Sequence, residues 1–186
     1  ANESPQDVAA HMQRIVEQGH DIFETRHRRK DGSLVEMEIS ASYSAAHDDA
    51  FIVFVRDISQ RKQIEADLRD SEERFRQLFE KAPVGIAMAG QDQKIFIANA
   101  AFCRMFGYTQ EELHHLTITD LTHPEYRDQT RHLATSVLGG ETPVYSFEKK
   151  YLRKDGGAFW GKIIASEVKG ATPQTRYIMG IVEDIT

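Results

Sequence analysis

A single cysteine, Cys103, stands in 186 residues. One thiol excludes an internal disulfide and any metal site assembled from several cysteines. Long apolar runs are missing too. The longest, Ala50 to Val55, reads as a buried strand and is far too short to span a bilayer. No signal-peptide pattern opens at Ala1, only a polar start containing a proline. Basic residues are in deficit, 23 against 29 acidic, for a net charge of −6. That balance argues against the clustered Lys and Arg of a nucleic-acid surface. Catalytic signatures are equally absent: no phosphate-binding glycine loop, no nucleophile elbow and no metalloprotease helix motif. Gly139-Gly140-Glu141 has the look of a cyclase signature, but it falls at a helix stop and lacks the rest. His114-His115 lacks the surroundings of a phospho-accepting histidine. The expectation is a cytoplasmic chain, or a piece of one, without catalysis, membrane segment or nucleic-acid partner. Hydrophobic residues at 40% and charged residues at 28% describe a globular chain.

A repeat organises what is there. Phe23-Glu24 followed by Arg29-Lys30-Asp31-Gly32 returns as Phe147-Glu148 followed by Arg153-Lys154-Asp155-Gly156, an offset of 124 residues (Phe23 to Phe147). Val35, Ile39 and Ala41 match Phe159, Ile163 and Ala165 at the same offset. Val55-Arg56-Asp57-Ile58-Ser59 returns as Val182-Glu183-Asp184-Ile185-Thr186 at 127, which implies three extra residues in the later loop, around Lys169 to Thr175. Residues from about Phe75 to Gly139 have no earlier counterpart. The expected organisation is therefore the closing part of one unit over 1–59, a connector over 60–81 and a whole second unit over 82–186.

In the whole unit, Gly85–Ala89 and Lys94–Ala98 flank the turn Gly90-Gln91-Asp92-Gln93 and predict a hairpin. Asn99 is placed to cap a short helix that Gly107 stops. Thr109 with Glu112, and Thr122 with Glu125, read as capping boxes. The second would open a longer helix ending at Gly139-Gly140, with Tyr126, Leu133 and Val137 facing inward. Three strands follow: Val144–Arg153, Ala158–Val168 and Arg176–Asp184. Two strands, short helices, then three strands joined by hairpins predict an α+β unit: an antiparallel sheet with helices on one face. The early unit supplies one helix, Pro5–Gln18, and three strands, with Phe51–Asp57 left at an edge that is expected to be covered by another chain or else disordered.

Between Gln60 and Lys81 lie six basic and six acidic residues, with favourable i,i+4 pairs such as Glu65–Arg69. This predicts a solvated helix about 35 Å long, opened by Asp57 with Gln60 as a capping box and stopped at Ala82-Pro83. Its sparse apolar residues Ile64, Leu68, Phe75 and Leu78 are spaced four, seven and three apart. These are heptad seam positions, too narrow to cover a globular core, and predict pairing with the same helix of a second chain. The plainer alternative is a helix packed on its own domain.

These pieces together resemble the PAS sensor family. The resemblance rests on Glu72 to Phe79 with Ala82-Pro83-Val84-Gly85-Ile86, Asn99-Ala100-Ala101-Phe102, Gly107-Tyr108-Thr109 with Glu111-Glu112-Leu113, His123-Pro124-Glu125, Arg153 to Gly156 and Asp184-Ile185-Thr186. It covers 72–186 as a whole domain and roughly 5–59 as a partial one. It implies a five-stranded antiparallel sheet with short helices enclosing a small cavity. It also implies a sensing and relay role in a larger regulatory protein of the sensor histidine kinase or diguanylate cyclase type. Asp57, Ile58, Ser59 and Asp184, Ile185, Thr186 look like the family's exit motif, so an effector domain is expected after Thr186.

The candidate pocket lining is Asn99, Phe102, Met105, Phe106, Leu121, Tyr145, Phe147, Trp160, Ile164 and Met179, which describes a ligand cavity or a filled core equally well. A small-molecule ligand and a ligand-free interaction scaffold both stay open. The cofactor is likewise open: none is the default, with haem or flavin as alternatives. Asp128 stands where a haem-ligating histidine would be, and His132 is the nearest substitute. Cys103 lies on an earlier helix than a photoactive cysteine requires. No metal site is expected.

Overall fold

The computed structural model describes residues 5–44, 50–170, 172 and 175–186. They form two compact units that divide between Glu73 and Arg74, inside a helix.

The first unit opens with helix α1 (Pro5–Gln18), followed by strands β1 (His20–Arg28), β2 (Leu34–Ser44) and β3 (Ala50–Asp57) in one antiparallel sheet of order β1-β2-β3. Helix α1 packs on β1 and β2. Its Ile15 is buried with Thr25, Val35 and Ala41, and its His11 ring stacks on Phe23 at 3.6 Å. Strand β3 differs from its neighbours: every residue from Ala50 to Asp57 is exposed, and its outer edge has no strand partner among the described residues. The sequence reads Ala50–Val55 as buried. Its apolar side chains instead stand in the open on both faces, with Phe54 71% exposed. The expected loop insertion rests on residues 45–49, 171 and 173–174, which lie outside the described residues.

Helix α2 (Ser59–Lys81) follows β3 after one residue. Asp57 accepts from the Ser59 amide at 2.9 Å, so the expected pairing with Gln60 is replaced by a tighter turn. Arg61 and Lys62 fasten the first helical turn to Glu24 of β1.

The second unit runs β4 (Gly85–Ala89), β5 (Ile95–Ala98), α3 (Ala100–Phe106), α4 (Gln110–Leu113), a 3-10 turn (Pro124–Tyr126), α5 (Arg127–Leu138), β6 (Val144–Leu152), β7 (Ala158–Lys169) and β8 (Arg176–Asp184). Its five strands form one antiparallel sheet of order β5-β4-β8-β7-β6. The fold class is α+β, with the short helices packed over the sheet around Phe106, Leu113, Ala134 and Val137, none of which touches solvent. Asn99 caps α3 and Gly107, at φ 79°, ends it. Thr109 and Glu112 form a complete capping box on α4.

Thr122 does not cap. The turn at Pro124 has no side-chain cap, because the Thr122 hydroxyl points inward and donates to the Ile118 carbonyl at 2.9 Å. The inward stripe of α5 is Thr130, Ala134 and Val137, while Tyr126 and Leu133 are half-buried. The free edge of β6 is covered by the segment before that turn: Leu152 donates to the Leu121 carbonyl and His123 to that of Lys150.

The repeat is visible atom by atom. Both hairpins close with Arg29 or Arg153 donating to residue Ser33 or Gly157. Asp31 and Asp155 accept from the same two amides. Gly32 and Gly156 supply the left-handed residue at φ 87° and 84°, which only glycine adopts without strain.

Candidate functional site

Strand β6 alternates, and one face of it carries Tyr145, Phe147, Lys149 and Tyr151 toward the helices. Its neighbour β7 turns Phe159, Gly161, Ile163 and Ala165 inward. Gly161 is required there: a Cβ would sit 2.8 Å from the Tyr151 ring, which lies over the strand. Strand β8 contributes Ile178, Gly180 and Val182. Phe102 and Phe106 of α3, Leu121, and Thr130 of α5 close the other side. A cavity of about 50 Å³ remains between them.

Its lining is apolar except for Thr130, Tyr145, Lys149 and Tyr151. Lys149 is 3% exposed. Its ammonium donates to Thr122 Oγ1 at 3.1 Å and Thr130 Oγ1 at 2.7 Å. It also lies over the Tyr151 ring at 4.8 Å and the Phe147 ring at 5.4 Å. Burial pulls its pKa down from 10.5 to about 7, because the charged form loses water and meets no carboxylate. Burial pushes Tyr145 up to about 12 and Tyr151 well above 10. The Tyr151 hydroxyl is buried without a hydrogen-bond partner.

Of the ten residues picked from the sequence, Phe102, Phe106, Leu121 and Tyr145 line this cavity. The other six are placed elsewhere. Asn99 is fully buried but spent on the backbone: its Oδ1 accepts from Ile86 and Phe102, and its Nδ2 donates to the carbonyls of Phe79 and Val84. Met105 and Phe147 are half-buried at the margin of the core. Trp160, Ile164 and Met179 lie one residue out of phase, on the opposite face of the sheet. A one-residue slip in a strand moves a side chain to the other face. Trp160 there meets Tyr126 at 6.1 Å and Lys150 at 5.4 Å. Lys149 is the residue that sequence reasoning missed. Its signal was available: it falls in step with Tyr145, Phe147 and Tyr151.

Asp128, His132 and Cys103 do not line the cavity. The Asp128 side chain is 97% exposed and His132 is exposed. Cys103 faces a surface groove beside Phe96 and His114, and burial pushes its thiol pKa up. No group of three or more His, Cys, Asp and Glu suited to a metal occurs among the described residues. No helix among them is long and apolar enough to cross a membrane.

The two exit segments are built alike. Arg29 pairs with Asp57 at 3.0 Å, and Arg153 with Asp184 at 2.8 Å. Ile58 donates to the Glu36 carbonyl, and Ile185 to that of Trp160. The Ser59 and Thr186 hydroxyls accept from the amides of Glu36 and Trp160. For Asp184, burial alone would raise the carboxyl. The hydrogen bonds from Thr186 and Arg153 outweigh it and hold the pKa below the ordinary range. On α2 the four seam residues are exposed, from 59% at Ile64 and Leu68 to 64% at Phe75 and 75% at Leu78.

Family models match both units: one described as PAS fold over residues 73–185, and one described as PAS domain over 3–60. The chain is 32% identical over 127 residues to a probable diguanylate cyclase, DgcE, of Escherichia coli, aligned over 68% of this chain and 11% of that protein. It is 28% identical over 167 residues to the sensor histidine kinase TmoS of Ectopseudomonas mendocina, over 86% of this chain and 17% of that one. The chain thus spans less than a fifth of either relative. A crystal structure of the PAS domain of an HTR-like protein from Haloarcula marismortui shares the fold at TM-score 0.56 and 23% identity, covering 67% of this chain and 99% of that one.

Proposed function

The chain belongs to the PAS family, and from that premise we propose that it senses and relays a signal within a larger regulatory protein, of the sensor histidine kinase or diguanylate cyclase type. In this reading residues 1–59 close one sensing unit, 60–81 connect, and 82–186 form a second, whole unit. Kinase or cyclase chemistry lies in an effector after Thr186, and the parent protein works in the cytoplasm.

The observation that carries the reading is the repeated exit. In each unit an arginine from the hairpin turn holds the aspartate that ends the last strand. In the first unit that strand passes almost without a break into a 23-residue helix. A change in the sheet therefore reaches the helix through one short, clamped turn. Such a turn suits a two-state element better than a flexible linker does. The relay also needs a second chain. The four exposed apolar side chains along α2 support pairing of this helix with its copy, because apolar groups of that size at seam spacing gain from leaving water against a matching seam.

Light scattering on the purified chain tests the pairing. The expected mass is twice 21.2 kDa, falling to that of one chain for Leu68→Asp. An unchanged mass on that substitution rejects the seam.

A further inference from the structure

We propose that the cavity of the second unit binds a short aliphatic monocarboxylate, with the carboxylate held by Lys149 and Tyr151 and the chain lying among Phe102, Leu121 and Ile163. The proposal deepens the sensing reading, on which it rests for its biological meaning.

The argument starts from Lys149. A buried cation is normally matched by an anion, since desolvation is otherwise uncompensated. Here the ammonium meets two neutral hydroxyls, Thr122 and Thr130. None of the residues lining the cavity is acidic. A second polar group points to the same need: the Tyr151 hydroxyl is buried without a partner. An ammonium and a phenol that line one apolar chamber, the amine 4.8 Å from the centre of the phenol ring, are two donors, the complement of one carboxylate.

The remaining walls set the rest of the ligand. They offer no further charge, so a dicarboxylate or a phosphate would bring an unmatched negative charge into an apolar space. A single water takes about 10–15 Å³ of such a space, against about 50 Å³ in this cavity. The space accordingly suits a chain of a few carbons.

Binding of this kind takes up a proton. Lys149 carries its proton only part of the time near neutral pH, and a carboxylate binds the ammonium form. No acidic side chain lines the cavity beside it. The Tyr145 and Tyr151 phenols stay neutral. Glu148 and Lys150 alternate to the other face of β6. From the turn, the half-buried His123 ring lies beside Tyr126, its Nδ1 buried without a hydrogen-bond partner. On α5, Arg127 is bonded to the Thr122 carbonyl, Asp128 and Arg131 pair at the surface, and His132 is exposed. Strands β7 and β8 face the site with apolar residues and glycine.

The test is titration of the 186-residue chain with butyrate, followed calorimetrically and by chemical-shift changes. Its neutral isostere butyramide serves as the control. The expected result is saturable binding of one butyrate per chain, about tenfold weaker at pH 8 than at pH 6 as the fraction of ammonium falls. Butyramide should bind at least about tenfold more weakly, the cost of an unmet charge pair. Lys149→Met should abolish the preference for butyrate over butyramide, and Tyr151→Phe should reduce it, with melting curves confirming that both variants fold. Equal binding of butyrate and butyramide overturns the proposal, as does no binding of butyrate to the folded wild-type chain. Either result leaves the relay reading standing while the chain keeps the mass of a pair, since that measurement does not involve the cavity.

Discussion

Replacing Lys149 by methionine keeps an unbranched side chain of similar length and removes the charge. The structure sets the size of the effect. The folded unit holds the amine at a pKa of about 7, whereas the unfolded chain returns it to 10.5. Between these values the unfolded state binds more protons than the folded one, so stability rises with pH. Below pH 7 both states are protonated and the full penalty applies. Integrated from pH 7 to pH 9, the linkage contributes about 2 kcal/mol of stability to the wild type and nothing to the variant. Cys103 titrates in the opposite sense: its raised pKa means that the folded state holds the proton longer, which lowers stability toward alkaline pH. It is present in both proteins and cancels in the difference. Urea unfolding of both chains at pH 7, 8 and 9, followed by the fluorescence of the single tryptophan, Trp160, gives that difference directly. Lys149→Met should be the more stable protein at pH 7, with its advantage shrinking by about 2 kcal/mol by pH 9. A difference that stays constant with pH would show that the amine keeps its ordinary pKa and is hydrated.

Two further substitutions probe the second unit. Asn99→Ala strips hydrogen bonds from four backbone groups, at Phe79, Val84, Ile86 and Phe102. A loss of about 2–4 kcal/mol is expected in urea unfolding, the scale for a helix cap plus buried polar groups left unpaired. A loss under about 0.5 kcal/mol, the level of an ordinary surface change, would show that water replaces the amide. Gly161→Ala puts a Cβ into the Tyr151 ring, so the ring must swing toward the cavity. The expected cost is about 1–3 kcal/mol, with tyrosine resonances shifted in an NMR spectrum; an unperturbed Tyr151 would contradict the close approach.

Much of this architecture is readable from local chemistry. The hairpin sequence Arg-Lys-Asp-Gly works the same way twice because its aspartate and glycine are sufficient to make the turn. Asn99, Gly107 and Thr109 end helices for reasons contained within a few residues. The phase of the strands was less legible. On β7 both faces carry large apolar groups, and the bulk of Trp160 favours its face, which includes Ile164, over that of Phe159 and Ile163. The outer face accepts a tryptophan because Tyr126 and the Lys150 stem cover it. Thr122 has the spacing of a cap, but its hydroxyl meets a stronger demand inside, from Lys149. Lysine is rarely buried, and the sequence carries no sign that two threonines distant along the chain would converge on this one. Strand β3 misleads for the opposite reason: its composition calls for burial, and burial depends on neighbours that composition does not reveal.

Asn99 leaves one mechanical consequence. Its amide grips the final turn of α2 at Phe79 with one hand and the first turn of α3 at Phe102 with the other, and Phe102 is a wall of the cavity. A guest that shoulders that wall aside cannot do so privately. Either the amide lets go, or the helix entering this unit is tugged along with it, so occupancy would be felt upstream of the unit as well as at its far end.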